Sequence, residues 1–177
     1  MRVRDATVDD VPSITAIYNE LIDSRTVTWT DRRDSVDDRA RWLARLQEAG
    51  FPVLVAVREN DAGDDHGEVV GFAAYGEFRD IVKWPGYRFT AELTIHIDEQ
   101  QWGRGVGRAL MTELLARARR AGMHTMIAAV DGENTQSLAF HERMGFTEVG
   151  RLEETGFKFG RWLDLVFLQL LLDEPRA

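Results

Sequence analysis

Trp102-Gly103-Arg104-Gly105-Val106-Gly107-Arg108 is the stretch on which the fold turns. Before it, Phe89 to Asp98 reads as a strand; after it, Leu110, Met111, Leu114, Leu115 and Ala118 recur at helical spacing until Gly122. Alternating glycines at such a junction permit positive φ and close approach, so that successive amides can converge on one phosphate at the helix mouth. A glycine-rich turn with no ligand is the alternative. The spacing G-x-G-x-G in mid-chain does not match a dinucleotide fingerprint, which needs G-x-G-x-x-G after a first strand, and the Gly-Lys-Ser/Thr ending of a P-loop is missing. Arg104 and Arg108 bring local positive charge, and Arg117, Arg119 and Arg120 either add to it or form a solvated helix face.

Working outward, Arg2 to Ala6 reads as a strand, and Thr7 with Asp10 has the form of a capping box before the helical run Val11, Ile14, Ile17, Tyr18, Leu21. Ser35 with Asp38 opens a second helix that carries Trp42, Leu43 and Leu46 inward and ends at Gly50. Val53 to Val57 and Val69 to Tyr75 predict a hairpin about the turn-rich segment 60–67. Met126 to Val130 reads as an apolar strand, Thr135 to Met144 as a short helix, and Thr147 to Lys158 with Trp162 to Leu172 as a pair of strands turning at Gly160. The order β-α-α-β-β-β-α-β-α-β-β predicts a mixed α/β sheet, mostly antiparallel with one parallel crossover, in a single domain over 1–177.

Composition bounds the function. With 177 residues, 44% apolar and 29% charged, the chain has enough apolar content for a core of its own. The formal charge of −8 argues against a nucleic-acid or anionic-membrane partner, because Lys and Arg dominate such binding. The sequence contains no cysteine, which excludes disulfides and thiolate chemistry and leads us to expect a reducing, cytoplasmic setting. No stretch approaches the roughly 18 apolar residues of a membrane span, and the first residues carry no signal-peptide core. No paired His or Cys spacing suggests a metal, and no G-x-S-x-G elbow suggests a serine hydrolase.

Strand alternation puts Glu92, Thr94 and His96 on one face and Leu93, Ile95 and Ile97 on the other. A carboxylate in an apolar strand is costly to bury unless it is paired or used, so Glu92 is either a structural ion-pair member or a working acid. His141 shares a helix face with Ser137 and Leu138, where an ordinary half-exposed histidine is the plain reading. The loop holding Arg79, Lys83, Trp84, Tyr87 and Arg88 leads directly into Glu92; it is either a solvated loop or an acceptor wall whose cations pair with a carboxylate. Tyr18, Asn19, Thr28 and Trp29 are candidates for an opposite wall, and His66 and His124 are expected to be incidental.

Taken together, the glycine loop, Ala16 to Glu20, Phe51 to Ala56, Ser137 to Phe146 and Gly156 to Asp164 resemble the GNAT (Gcn5-related) acetyltransferases, over essentially the whole chain. The similarity is closest to the phosphinothricin and methionine sulfoximine/sulfone acetyltransferase branch. It implies a GNAT acyl-CoA N-acyltransferase fold and acetyl transfer from acetyl-CoA to a small amino-acid-like amine. It also implies a homodimer. By this resemblance Gly103, Arg104, Gly105, Val106, Gly107 and Arg108 hold the pyrophosphate, while Asn134 and Ser137, with the backbone of Ile95, His96 and Ile97, serve the rest of the cofactor. Glu92 aligns with the general base and His141 with the general acid; Arg79, Trp84 and Tyr87 are expected to join Glu92 at the substrate from the position of their loop, which is somewhat longer than in the methionine sulfone and sulfoximine enzymes. Trp102 departs from the pattern, which usually has Arg or Gln there; the departure is expected to alter cofactor affinity. No side chain stands out as an acyl-carrying nucleophile, so transfer is expected to be direct. Alternatives are another small amine or an antibiotic as acceptor, or a non-catalytic acyl-CoA-binding module, against which the presence of both Glu92 and His141 argues.

Overall fold

The structure is a computed structural model and describes residues 1–58 and 67–172. Elements follow in the predicted order: β1 (Arg2–Asp5), α1 (Val11–Ser24), α2 (Val36–Glu48), β2 (Val53–Arg58), β3 (Glu68–Glu77), β4 (Thr90–Ile97), α3 (Val106–Arg120), β5 (Thr125–Asp131), α4 (Thr135–Arg143), β6 (Thr147–Lys158) and β7 (Arg161–Leu171). The strands make a seven-stranded mixed sheet in the order β1-β2-β3-β4-β5-β7-β6. Residues group into two compact units, one of 1–20, 34–75 and 94–117, the other of 21–33, 76–93 and 118 onward.

In the first unit, β2 reads Val-Leu-Val-Ala-Val and is buried at all five positions; β1 and β3 pair with it antiparallel on either side, and Val53, Val55 and Val57 face an apolar cluster. The predicted hairpin is there; its turn, with His66, lies outside the described residues. Val11, Ile14 and Ile17 of α1 and Leu43 and Leu46 of α2 pack with Val53, Val55, Val57 and Phe72 in one apolar cluster. Each such side chain contributes roughly 1.5–3 kcal/mol on leaving water. The Ser35–Asp38 box caps α2, with reciprocal bonds of 3.0 and 3.1 Å. The Thr7–Asp10 pair caps a short 3-10 turn, Val8–Asp10, rather than α1 itself: Asp10 accepts the Thr7 amide at 2.8 Å and is also gripped by Arg4 at 2.7 Å.

In the second unit, β4 and β5 run parallel over Thr90↔Thr125 to Glu92↔Ile127, the parallel pair the sequence predicts. β7 pairs antiparallel with β5 and with β6. The β6–β7 turn places Phe159 and Gly160 at φ 51° and 75°, two successive left-handed residues that match the twist of a tight hairpin.

Candidate active site

The glycine loop begins with local tethers. Asp98 accepts the Gln100 amide at 2.8 Å and starts a 3-10 turn, Glu99–Gln101; the Trp102 indole then donates to the Ile97 carbonyl at 3.1 Å. Trp102 thus ties the loop to the end of β4. Gly103 and Gly105 have φ of 73° and 84°, and a Cβ at either would meet nothing within 4 Å, so the backbone conformation and not crowding calls for glycine. Gly107 differs from the expectation of three equivalent glycines, since it lies buried inside α3 in its first turn. The Ala109 amide is bonded to Gly105 O at 3.0 Å, and the amides of Val106, Gly107 and Arg108 before it stand at the helix mouth without intrahelical partners. With exposed Arg104 and Arg108 beside them, these residues fit a diphosphate. Farther along α3, Arg117 is engaged by Glu113 of the same helix at 2.7 Å and by Asp5 of β1 at 3.2 Å.

The β4–β5 register closes at Glu92↔Ile127, whereas β4 itself continues to Ile97. Ile95, His96 and Ile97 therefore lie beyond that ladder. On the β3 side, a Cβ at Gly71 would stand 3.0 Å from the His96 carbonyl, so the two backbones approach closely there. The predicted alternation of β4 holds from Thr90 to Leu93 and then fades, with Ile95 and Ile97 only partly buried. The His96 ring lies 5.5 Å from Tyr18 and 5.2 Å from Phe72, with Nε2 3.1 Å from Thr94 Oγ1. Burial, reinforced by the Arg39 guanidinium, lowers its pKa to about 4, so the imidazole is neutral. Asn19 is not free to line a wall: its amide donates to Asp34 O at 2.8 Å and accepts from Asp34 N at 2.9 Å.

Glu92 is half-buried between the buried Ala91 and Leu93. Burial raises its pKa, and the charge of Arg79 opposes that rise. The loop between β3 and β4 has its own order. Asp80 accepts the amides of Val82 and Lys83 at 2.9 and 3.0 Å, and Pro85–Tyr87 form a 3-10 turn. Cations and rings interleave there: Lys83 lies 4.5 Å from the Trp84 ring, Arg79 5.4 Å from Phe78, and Phe78 5.9 Å from Tyr87. Trp84 and Tyr87 remain exposed.

His141 is not the half-exposed residue of the plain reading; it is 2% exposed, edge-on to Phe140 and Phe146 at 5.3 and 5.4 Å. Its Nδ1 is 2.8 Å from the Ser137 carbonyl, which only accepts, so the proton is on Nδ1 and the lone pair on Nε2. Among the described residues Nε2 is buried and has no hydrogen-bond partner. Burial lowers the pKa of His141, partly offset by that bond to Ser137. The Asn134 side-chain oxygen accepts the Ser137 amide at 3.0 Å and caps α4, which fixes the turn on which His141 is carried.

Sequence reasoning gave no role to Lys158, Asp131 or Thr26. Lys158 is 2% exposed and bonds three backbone carbonyls, while Thr26 donates to the buried Asp131 carboxylate. The available signal was a lysine within Gly156-Phe157-Lys158-Phe159-Gly160, alternating with aromatics on a strand. Among the described residues no group of three or more His, Asp or Glu is arranged for a metal, and no helix is long and apolar enough to cross a membrane.

Residues 14–146 match the Acetyltransferase (GNAT) family, and the chain belongs to that family. It is 39% identical to the L-methionine sulfoximine/L-methionine sulfone acetyltransferase of Pseudomonas aeruginosa, over 99% of this chain and 96% of that protein. Identity to the phosphinothricin N-acetyltransferase of Alcaligenes faecalis is 38%, over 94% of this chain and 80% of the relative. Among solved structures, the phosphinothricin acetyltransferase of Sinorhizobium meliloti in complex with acetyl-CoA superposes with a TM-score of 0.87 at 35% identity, covering 96% of this chain and 87% of that one. The protein is an acetyl-CoA-dependent N-acetyltransferase with the mixed sheet of its family.

Proposed function

We propose that the protein acetylates the α-amino group of small amino-acid-like acceptors of the methionine sulfone, methionine sulfoximine or phosphinothricin type. The observation that carries the reading is Glu92, a half-buried carboxylate with a raised pKa and a cationic neighbour, Arg79, able to pair with an acceptor's carboxylate. Acetyl-CoA supplies an activated acetyl group. The loop Gly103 to Arg108 binds its diphosphate, the Ile95–Ile97 amides hold the pantetheine arm, and Asn134 and Ser137 assist there. Trp84 and Tyr87 cover the acceptor's side chain. Both compact units serve one acetyltransferase domain, a reading supported by a family match that runs through both.

An amine attacks only when neutral, so Glu92 takes the ammonium proton, directly or through water. The attacking nitrogen must then shed a second proton and the departing sulfur must gain one. A neutral His141 with its lone pair at Nε2 performs both in turn, accepting a proton before acting as the acid for the thiolate. Because burial raises the Glu92 pKa, the acid limb of kcat/KM is expected above the ordinary carboxylate range, with activity falling as pH drops through it.

We further infer a cytoplasmic homodimer. β6 ends the sheet order, and Val149, Leu152, Phe157, Trp162 and Leu171 on β6 and β7 expose apolar surface suited to a second copy. The functional reading is tested by thiol release from acetyl-CoA with methionine sulfone, methionine sulfoximine, phosphinothricin and common L-amino acids. Saturable release with at least one of the first three is expected. Tight CoA binding with no turnover on any amine would favour a binding module.

A further inference from the structure

Lys158 is the least expected side chain in the second unit. Lysine is seldom fully buried unless it is paired, yet this one is 2% exposed. Its ammonium has three N–H donors, and three carbonyls meet them: Ile22 at 2.7 Å, Arg25 at 2.8 Å and Thr28 at 2.7 Å. α1 ends at Ser24, so Ile22 and Arg25 flank a helix C-terminus, where carbonyls lack intrahelical partners and a cation is favoured. Burial draws the ammonium's pKa down and the charges of Asp31 and Asp23 draw it back up.

Two further anchors hold the same segment. A Cβ on Gly156 would come within 2.3 Å of the Trp29 ring, so β6 has been emptied of a side chain where that ring lies. Thr26 donates to Asp131, whose carboxylate also accepts the Glu133 amide at 3.1 Å in the turn that leads to Asn134 and α4. Residues 25–30 have no helix or strand of their own. Their shape comes from the lysine, the missing side chain and the aspartate.

We propose that Lys158 is a positioning residue for the acceptor amine: by filling the space among the Ile22, Arg25 and Thr28 carbonyls it sets the course of residues 25–29, and so decides which amines are accepted. The inference rests on the reading of the protein as an amino-acid acetyltransferase with Thr28 and Trp29 in a wall of its acceptor site. Lys158→Met keeps the stem and leaves three carbonyls without their donor. Lys158→Arg replaces a compact ammonium with a planar fork that does not suit three acceptors gathered about one point. Gly156→Ala displaces Trp29 and leaves the ammonium in place.

The test is steady-state kinetics with methionine sulfone, methionine sulfoximine and phosphinothricin, alongside calorimetric titration with CoA and a thermal melt. For Lys158→Met and Gly156→Ala the amine KM is expected to rise at least about tenfold, unequally among the three amines, with kcat and CoA affinity within about threefold of wild type. Lys158→Arg should fail to restore the wild-type KM. A uniform fall in kcat with unchanged KM, paralleling a lower Tm, would show a merely structural lysine and overturn the proposal. If Lys158→Met does not fold, Gly156→Ala and Lys158→Arg decide by the same criterion. A wild type that releases thiol with no amine defeats the functional reading and the positioning role together, whereas an active wild type with unchanged KM in the variants defeats the positioning role alone.

Discussion

The loop at 102–108 and the segment at 25–29 are both irregular, yet they owe their shapes to different things. The loop is dictated by its own residues: two glycines with φ of 73° and 84°, and an indole bonded to a carbonyl five residues back. The segment is dictated by Lys158, whose acceptors lie 130 to 136 positions away in sequence. A nest made of main-chain amides needs only backbone conformation, so a few adjacent residues encode it. An acceptor wall must be matched to one kind of side chain, and distant residues can adjust it without disturbing the nest. On the proposed function, cofactor binding and acceptor choice are thereby encoded separately.

Breaking the local half should produce the larger effect on binding. Gly105→Val forces a β-branched residue into the left-handed region, at a cost of about 1–3 kcal/mol. CoA affinity measured by calorimetry should fall roughly 5- to 150-fold. Amine KM should move much less.

His141→Ala sharpens the comparison from the other side. It removes the Nε2 lone pair while the glycine loop is untouched, so kcat is expected to fall roughly tenfold, at the low edge of acid–base contributions, because a thiol is a good leaving group. CoA affinity should be unchanged. Rates identical to wild type across the pH profile would reject the assignment.

An effect of a different kind is on stability. The His96 pKa is lowered from 6.5 to about 4 in the folded protein, so between these values the unfolded chain binds more protons. This histidine's contribution is fully present above pH 6.5 and is lost as pH falls toward 4. It amounts to roughly 2–4 kcal/mol. Thermal melts from pH 7 to pH 4.5 should fall more steeply for wild type than for His96→Gln; parallel curves would contradict the neutral imidazole.

The sequence was legible where signals are local. Hydrophobic period, the Ser35–Asp38 box, Gly50 and the glycine loop were enough to order the strands and α-helices of the described residues, though not the short 3-10 turns, and the parallel β4–β5 pair followed from the α3 crossover between them. Glu92 was visible as a carboxylate in an apolar strand. The state of His141 was not, because the burial and the Ser137 carbonyl that fix its tautomer depend on packing against Phe140 and Phe146. Asn19 pointed the wrong way for the same reason: a polar residue on a helix is equally suited to a site and to pinning the backbone of Asp34, and tertiary structure chose the latter. Lys158 was hidden because its three acceptors are main-chain atoms, which leave no trace in residue identity.

The separation of grip from chemistry is tested most directly by Glu92→Gln, with turnover on the best amine and CoA binding measured on the same preparation. A fall in kcat of at least about 10²-fold is expected, with CoA affinity within about twofold of wild type. Turnover like that of wild type at neutral pH, or a loss of activity matched by an equal loss of CoA affinity, would contradict it.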